Sequence, residues 1–322
     1  MFRFLPDLKS KGVMGINRRN REYIFKNNPR RNYVLVDDKL ETKKLALAHN
    51  IGTPELYGEI HYQQQIQHFE ELVKGRETFV IKPARGSGGG GIIVIREVGP
   101  MGYVMSNGRV LSVEDMHFHL SNILSGLYSL SGLRDKVIIE QCIELSPIFK
   151  NVSYKGIPDI RVVVYKGVPV MAMLRLPTVS SSGKANLHMG GIGVGIDMAT
   201  GQTLNKGVRY NNFIDHHVDT GAKLGAIDIP DWMQCLRLAA KCGDIVGMGY
   251  IGVDLILDQT LGAMMLEINA RPGISIQVAN RAGLLPRLDL VDQHKAYELP
   301  FEERIQFAAD HFSVTAMNEA QE

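Results

Sequence analysis

The feature that most restricts this chain is a run of glycines set between two apolar strands. TFVIK (78–82) reads as a strand, PARGSGGGG follows it, and IIVI (92–95) reads as the next strand. Residues 86–91, GSGGGG, satisfy the spelling G-x-G-x-x-G, but a dinucleotide fingerprint needs a helix after its loop, and here a strand follows. The loop holds no G-K-[ST], so it is not a P-loop. What remains is a flap, in which glycines without a Cβ let bare N–H groups approach phosphate oxygens. Lys82, at the end of the first strand and beside Pro83, sets a cation where those phosphates would lie.

A second hairpin carries hard oxygen ligands. VDLIL (253–257) and AMMLEI (263–268) flank a turn near 259–262, which sets Asp254 across from Glu267. Cross-strand neighbours have Cβ atoms about 5 Å apart. Glu267 and Asn269 are two apart and share a face. Two carboxylates that face each other repel unless a cation lies between them, and Mg²⁺ suits a few protein oxygens completed by phosphate and water. Asp159 and Arg161 share a face of the strand DIRVVVY (159–165), and Arg175 closes its hairpin partner VPVMAML (168–174). Beside a glycine flap and a carboxylate pair, such arginines fit a phosphoryl or carboxylate group.

The remaining pattern is mixed. YVLV (33–36) reads as a buried strand, Asp38 and Glu41 as a capping box opening a helix, 62–74 and 112–129 as helices, VIIEQCI (137–143) as a strand, and 231–246 as a helix. Residues 176–191 read as a loop rich in Ser and Gly. The class is α+β with hairpins. Lys and Arg number 36 against 34 Asp and Glu, so the chain as a whole is no polyelectrolyte partner for DNA. The first 31 residues are nevertheless basic, with nine Lys or Arg against two acids. A solvated arm and an electrostatic lip for an anion are both open there; the lack of an aromatic platform argues against nucleic acid. Cys142, Cys235 and Cys242 form no C-x-x-C pair, and the start shows no apolar h-region, so a reduced, cytoplasmic setting is expected. No run approaches about 18 apolar residues, so no membrane partner is expected.

Taken together, these segments resemble the ATP-grasp superfamily, in particular RimK-type alpha-L-glutamate ligases. The resemblance rests on DDKLETKKLALAHNIGTPE (37–55), FVIKPARGSGGGGI (79–92), VIIEQCI (137–143), DIRVVVYKGVPVMAMLR (159–175), NLHMGG (186–191) and GVDLILDQTLGAMMLEINARPG (252–273). It implies an ATP-grasp fold of two α+β subdomains gripping ATP, spanning 37–137 and 138–322, after a basic segment 1–36 in place of a full preceding domain. It implies an ATP-dependent carboxylate–amine ligase working through an acyl phosphate. The partners would be a carboxylate substrate and an amine acceptor (amino acid, peptide or protein terminus), with a homo-oligomer left open. The cofactors would be ATP and two Mg²⁺ ions, or Mn²⁺ in their place.

Position by position, the resemblance makes Lys39 and Lys82 the lysines that touch ATP phosphates. Gly86, Ser87, Gly88, Gly89, Gly90 and Gly91 become the flap. Glu140, Gln141, Cys142 and Ile143 become the hinge that holds adenine, and Asp159 the ribose-binding acid. Arg161 and Arg175 become the cations around the transferred phosphoryl group, Asn186 the substrate-loop asparagine, and Asp254, Glu267 and Asn269 the magnesium ligands. Lys184 and Met189 stand where RimK-type enzymes carry arginine. That departure leaves open a peptide or sugar-polymer precursor as substrate, or a catalytically silent nucleotide binder. The ending NARPGISIQ is also similar to an ATP-grasp branch found near sugar-polymer genes.

Overall fold

The computed structural model describes residues 10–86, 88–129 and 132–314. The chain divides into two units, one of residues 37–44 and 53–144, the other of residues 1–36, 45–52 and 145–322. The described part of the basic segment, residues 10–36, falls in the second of these units.

The first unit carries a six-stranded antiparallel sheet in the order β1-β6-β2-β3-β4-β5. Its strands are β1 (Leu56–Ile60), β2 (Phe79–Pro83), β3 (Ile93–Gly99), β4 (Gly102–Met105), β5 (Val110–Leu111) and β6 (Val137–Glu140). Phe69, Phe79 and Tyr103 meet edge to face, with centroids 5.7–6.0 Å apart. Against them lie Met116, Leu120 and Ile123, the apolar stripe of a helix Val113–Leu124. Ser112 and Asp115 form its capping box. The helix stops short of the expected 129 because Gly126 turns left-handed at φ 88°, and a Cβ there would come within 2.2 Å of the Leu133 carbonyl oxygen. At 62–74 the structure has a 3₁₀ turn, Gln63–His68, running into a short helix, Phe69–Leu72.

The second unit carries a seven-stranded antiparallel sheet in the order β11-β10-β9-β8-β7-β12-β13. Its strands are β7 (Asp159–Tyr165), β8 (Val168–Leu176), β9 (Ile192–Ile196), β10 (Thr203–Arg209), β11 (Asn212–Ile214), β12 (Tyr250–Asp258) and β13 (Gly262–Asn269). Every residue of β7 and of β12 is buried, as expected for strands covered on both faces. A helix Trp232–Val246 contributes Leu236, Ala239 and Cys242 to the core, and a helix Phe301–Phe312 contributes Ile305 and Phe312. The expected β12–β13 pairing is present: Asp254 is opposite Glu267 and Gly252 opposite Asn269. Beyond Asp254 a bulge intervenes. Leu255 pairs with Met265, so Leu266 is the extra residue on β13.

The reading of 33–36 as a strand is corrected: Val34–Asp37 is a short helix. A 3₁₀ turn, Arg30–Asn32, precedes it, and Val36 N donates to the Tyr33 carbonyl at 3.1 Å, so helical hydrogen bonding continues through the β-branched residues. Val34 is exposed, so the run is not a buried strand. Upstream, Arg19–Ile24 is a π-helix. From it the buried Arg19 donates to the Pro272 carbonyl at 2.7 Å, just past β13.

Asn28 ties the same region to the hairpin base. Its Oδ1 accepts from Tyr250 N at 2.9 Å, and its Nδ2 donates to the carbonyls of Tyr250 at 2.7 Å and Ala270 at 3.1 Å. The side chain thus joins the start of β12 to the residue after β13. Asn28→Ala would leave these buried backbone groups unpaired, at about 1–3 kcal/mol. Chemical denaturation of the variant against wild type should show a loss of that size.

Candidate active site

In the first unit the site begins with a helix, Lys39–Ala48, whose first turn Asp38 caps by accepting from Leu40 N at 3.1 Å. Glu41 does not complete a capping box; its carboxylate takes Lys136 Nζ at 2.9 Å. Lys39 is thereby fixed at the helix start, and its Nζ donates to the carbonyl of Gly86 at 2.8 Å. The flap runs from there through Gly88, Gly89 and Gly91, all left-handed, with Gly90 in the same turn. Ser87 lies outside the described residues. At the far end His119 Nε2 donates to the Gly91 carbonyl at 2.9 Å. Gly91 must be glycine twice over, since φ is 73° and a Cβ would come within 2.6 Å of the Tyr128 ring.

Lys82 and Glu140 lie on adjacent strands, where Val80 is Glu140's direct partner, so the two side chains share a face. They form a buried ion pair, and Lys43 Nζ reaches the other carboxylate oxygen of Glu140 at 2.8 Å. Burial alone would raise the Glu140 carboxyl, but Lys82 and Lys43 outweigh it and hold the group below its ordinary range. Burial lowers the Lys43 ammonium in spite of Glu140. Lys43 was not singled out from the sequence; the available signal is its place one helical turn after Lys39. Along the expected hinge, Gln141 N donates to the Glu55 carbonyl at 2.9 Å. Its side-chain Oε1 accepts from Glu55 N at 3.2 Å. Cys142 and Ile143 are buried, and burial pushes the Cys142 thiol up.

In the second unit the register sets Asp159 opposite Arg175, and Arg161 opposite Asp254. Arg161 grips Asp254 with two bonds, Nε to Oδ1 and Nη2 to Oδ2, each 2.5 Å. Arg175 Nη2 reaches Asp159 Oδ2 at 2.7 Å and Asp254 Oδ2 at 2.8 Å, while its Nε donates to Asp159 Oδ1. Asn269 Nδ2 donates to Asp254 Oδ2 at 3.2 Å. The structure therefore joins Asp159, Arg161, Arg175, Asp254 and Asn269 in one buried network, with Glu267 paired to Asp254 on the ladder. Arg161 and Arg175 supply the positive charge that the facing carboxylates call for. Burial, together with Asp254, pushes the Asp159 carboxyl up to about 6 despite Arg175. Asp254 also suffers burial, but the two guanidiniums overcome it and lower its pKa.

Asn186 caps the turn Leu187–Met189, accepting from His188 N at 3.0 Å. Its loop is well bonded: Thr178 Oγ1 donates to the Gly190 carbonyl at 2.9 Å, and the buried His217 Nε2 bonds the Pro177 carbonyl at 2.9 Å.

Among the described residues no three His, Cys, Asp or Glu side chains gather into a metal-holding group. Asp254, Glu267 and Asn269 are two carboxylates and one carboxamide on paired strands, Asp254 in the middle of β12 with both oxygens also bonded by arginine, Glu267 and Asn269 at the end of β13. That set fits Mg²⁺, which takes one or two carboxylates and completes its shell with phosphate and water; it is too sparse for a dedicated all-protein cage.

Glu140 gives a direct check on the buried charges of the first unit. A carboxyl lowered by folding adds stability above the unfolded value, near 4.5, and loses it as pH falls through the folded value. Glu140→Gln removes that acid-side loss but strands Lys82 and Lys43 without a counter-charge. Urea melts should show the variant about 3–5 kcal/mol less stable at pH 7, with the gap narrowing below pH 4.

Two kinds of comparison place the chain among known proteins. Among solved structures, a D-alanine–D-alanine ligase from Bacillus anthracis complexed with ATP aligns at 15% identity and a TM-score of 0.43, over 89% of this chain and 68% of that one. The ATP-grasp ligase PsnB complexed with a minimal precursor aligns at 14% identity and 0.43, over 84% of this chain and 64% of that one. The D-cycloserine synthetase DcsG aligns at 12% identity and 0.45, over 81% and 71%. This chain thus spans under two thirds of the length of PsnB. No curated protein matches. The family comparison covers residues 18–293, from the π-helix to beyond the carboxylate hairpin: the chain belongs to the sugar-transfer associated ATP-grasp family.

Proposed function

We propose that the protein is an ATP-dependent carboxylate–amine ligase that forms an amide bond through an acyl phosphate. The observation that carries the reading is the buried Arg161–Asp254–Arg175–Asp159 network, held by strand register beside two further oxygen donors, Glu267 and Asn269. A carboxylate oxygen attacks the γ-phosphorus of ATP, and ADP leaves. An amine then attacks the acyl carbon, a C–N bond forms, the C–O bond to phosphate breaks, and phosphate leaves as the nitrogen loses a proton. In this mechanism Arg161 and Arg175 balance the charge on the transferred group. Lys39 and Lys82 take phosphate oxygens, the glycines supply N–H donors and exclude water, and the hinge Glu140–Ile143 holds adenine. Asp254, Glu267 and Asn269 would hold Mg²⁺, which when bound cancels charge on the phosphates. Burial pushes the Asp159 carboxyl up, and Arg175 opposes that by bonding both of its oxygens.

Glutamate is the weaker candidate substrate. Lys184 stands at one arginine position of RimK-type enzymes, and Met189, at the other, is exposed and uncharged. The family's description as sugar-transfer associated favours the alternative, a sugar-polymer precursor.

Glu267→Ala should lower Mg²⁺-dependent ADP release by ~10²–10³-fold with circular dichroism unchanged; undiminished release would remove the metal assignment. Lys82→Ala should weaken nucleotide binding about tenfold, roughly 1.4 kcal/mol, in a calorimetric titration.

A further inference from the structure

We propose that a cavity between the Asn186 loop, the β10–β11 turn and the residues around Ser275 binds the neutral sugar ring of the acceptor, stacked on Tyr210. The proposal deepens the ligase reading and rests on it.

Position comes first. Asp159 pairs with Arg175, Arg175 with Gly193, and Gly193 with Val208. Direct partners on neighbouring strands share a face, so Val208, which lines the cavity, is on the face of the Arg175 network. Two strand spacings put it about 10 Å from β8. Between them Gly193 bears no side chain, and a Cβ there would come within 2.8 Å of Leu187, another lining residue. The substrate loop therefore lies directly on this row.

The turn above the cavity, Tyr210–Asn211, is the two-residue loop that joins β10 to β11, a connection that asks for positive φ at both positions. Tyr210 and Asn211 both have positive φ, 47° and 66°. Asparagine accepts that conformation; a bulky aromatic rarely does. Tyr210 is held there by its neighbours. The Arg209 guanidinium lies 4.9 Å from the ring centroid, and it donates to the Gly190 carbonyl at 3.1 Å and to Ser180 Oγ at 2.6 Å. Gly190 is left-handed, and a Cβ on it would come within 2.2 Å of the Tyr210 hydroxyl. So the loop and the turn are fitted to each other, and the tyrosine stays 55% exposed. An aromatic ring is thereby presented beside the substrate loop with much of its surface open to a ligand.

The chemistry of the walls selects the ligand. Leu187, Val208 and Val278 are aliphatic; Asn211 and Ser275 are neutral and polar. His188 completes the lining, and none of the described lining residues is Asp, Glu, Lys or Arg. A free dicarboxylate would lose hydration among these walls, and the neighbouring Arg209 guanidinium is already engaged by the Gly190 carbonyl, Ser180 Oγ and the Tyr210 ring. A sugar ring offers an apolar face to Tyr210 and hydroxyls to Asn211 and Ser275. The volume, about 190 Å³, suits one ring.

The test is saturation-transfer NMR on the full chain, without ATP, using N-acetylglucosamine as the ring probe and glutamate as its rival. Wild type should bind the sugar, Tyr210→Phe should retain it, and Tyr210→Asn, which keeps a residue suited to the turn, should lose at least tenfold. Val278→Trp, which fills the cavity from a half-exposed position and leaves Tyr210 in place, should lose it as well. No binding to wild type, binding untouched in Tyr210→Asn and Val278→Trp, or glutamate displacing the sugar would overturn the proposal. Because ATP is absent, the ligase reading is tested separately: sugar binding without ADP release on glucosamine would fault that reading, whereas ADP release on other acceptors without sugar binding would fault this one.

Discussion

Asp254 is a carboxylate in the interior of a sheet, and the second unit is arranged around keeping it there. Moving an ion out of water costs several kcal/mol after relaxation, and here two acids and two arginines are moved together. The arrangement holds because each carboxylate oxygen of Asp159 and Asp254 has a guanidinium partner. It also needs four strands in fixed register, since Asp159 and Arg161 are on β7, Arg175 on β8, Asp254 on β12, and Asn269 on β13. Apolar residues of similar volume would serve stability as well or better. Charges kept at such cost, next to further oxygen donors, are the feature on which the proposed ligase reading rests.

The first unit solves a similar problem with the opposite sign. Lys82 and Lys43 share a single acid, Glu140, leaving an excess of positive charge in a buried place. Lys39, by contrast, bonds the glycine loop through a carbonyl oxygen. The flap is bonded through the carbonyls of Gly86 and Gly91, and Gly88 and Gly89 between them are left-handed.

Much of this was legible in the sequence because it depends on short-range rules. A turn near 260 brings Asp254 close to Glu267, and glycines between two strands announce a flap. Alternation from the pair Asp258–Gly262 would, however, set Asp254 against Leu266, and it is the bulge, which no pattern announces, that puts Glu267 opposite. The partners of the charges were not legible. Asp159 and Arg161 look like a pair along one strand, yet each bonds across to a neighbouring strand, a choice set by sheet order, which no local pattern encodes. Lys43 reads as one more surface lysine of a helix. Tyr210 gives no signal, because its interest lies in a backbone angle that its residue type argues against. YVLV misled for the converse reason: four residues are too few to separate a strand from a helical turn, and the preceding 3₁₀ turn decides the matter. Asn28 and Arg19 act on backbone carbonyls more than 200 positions away, beyond any motif.

The bulge at Leu266 has a bearing on how such a chain can diversify. An unpaired residue between the carboxylates and the hairpin tip breaks the strict two-residue alternation, so the pairing of 255–258 with 262–265 is set independently of the pairing of 252–254 with 267–269. Descendants could lengthen or shorten the connection at 259–261, or remodel it for a new neighbour, and the acids below would still meet. The carboxylate pair is insulated from the connection at the tip of its own hairpin.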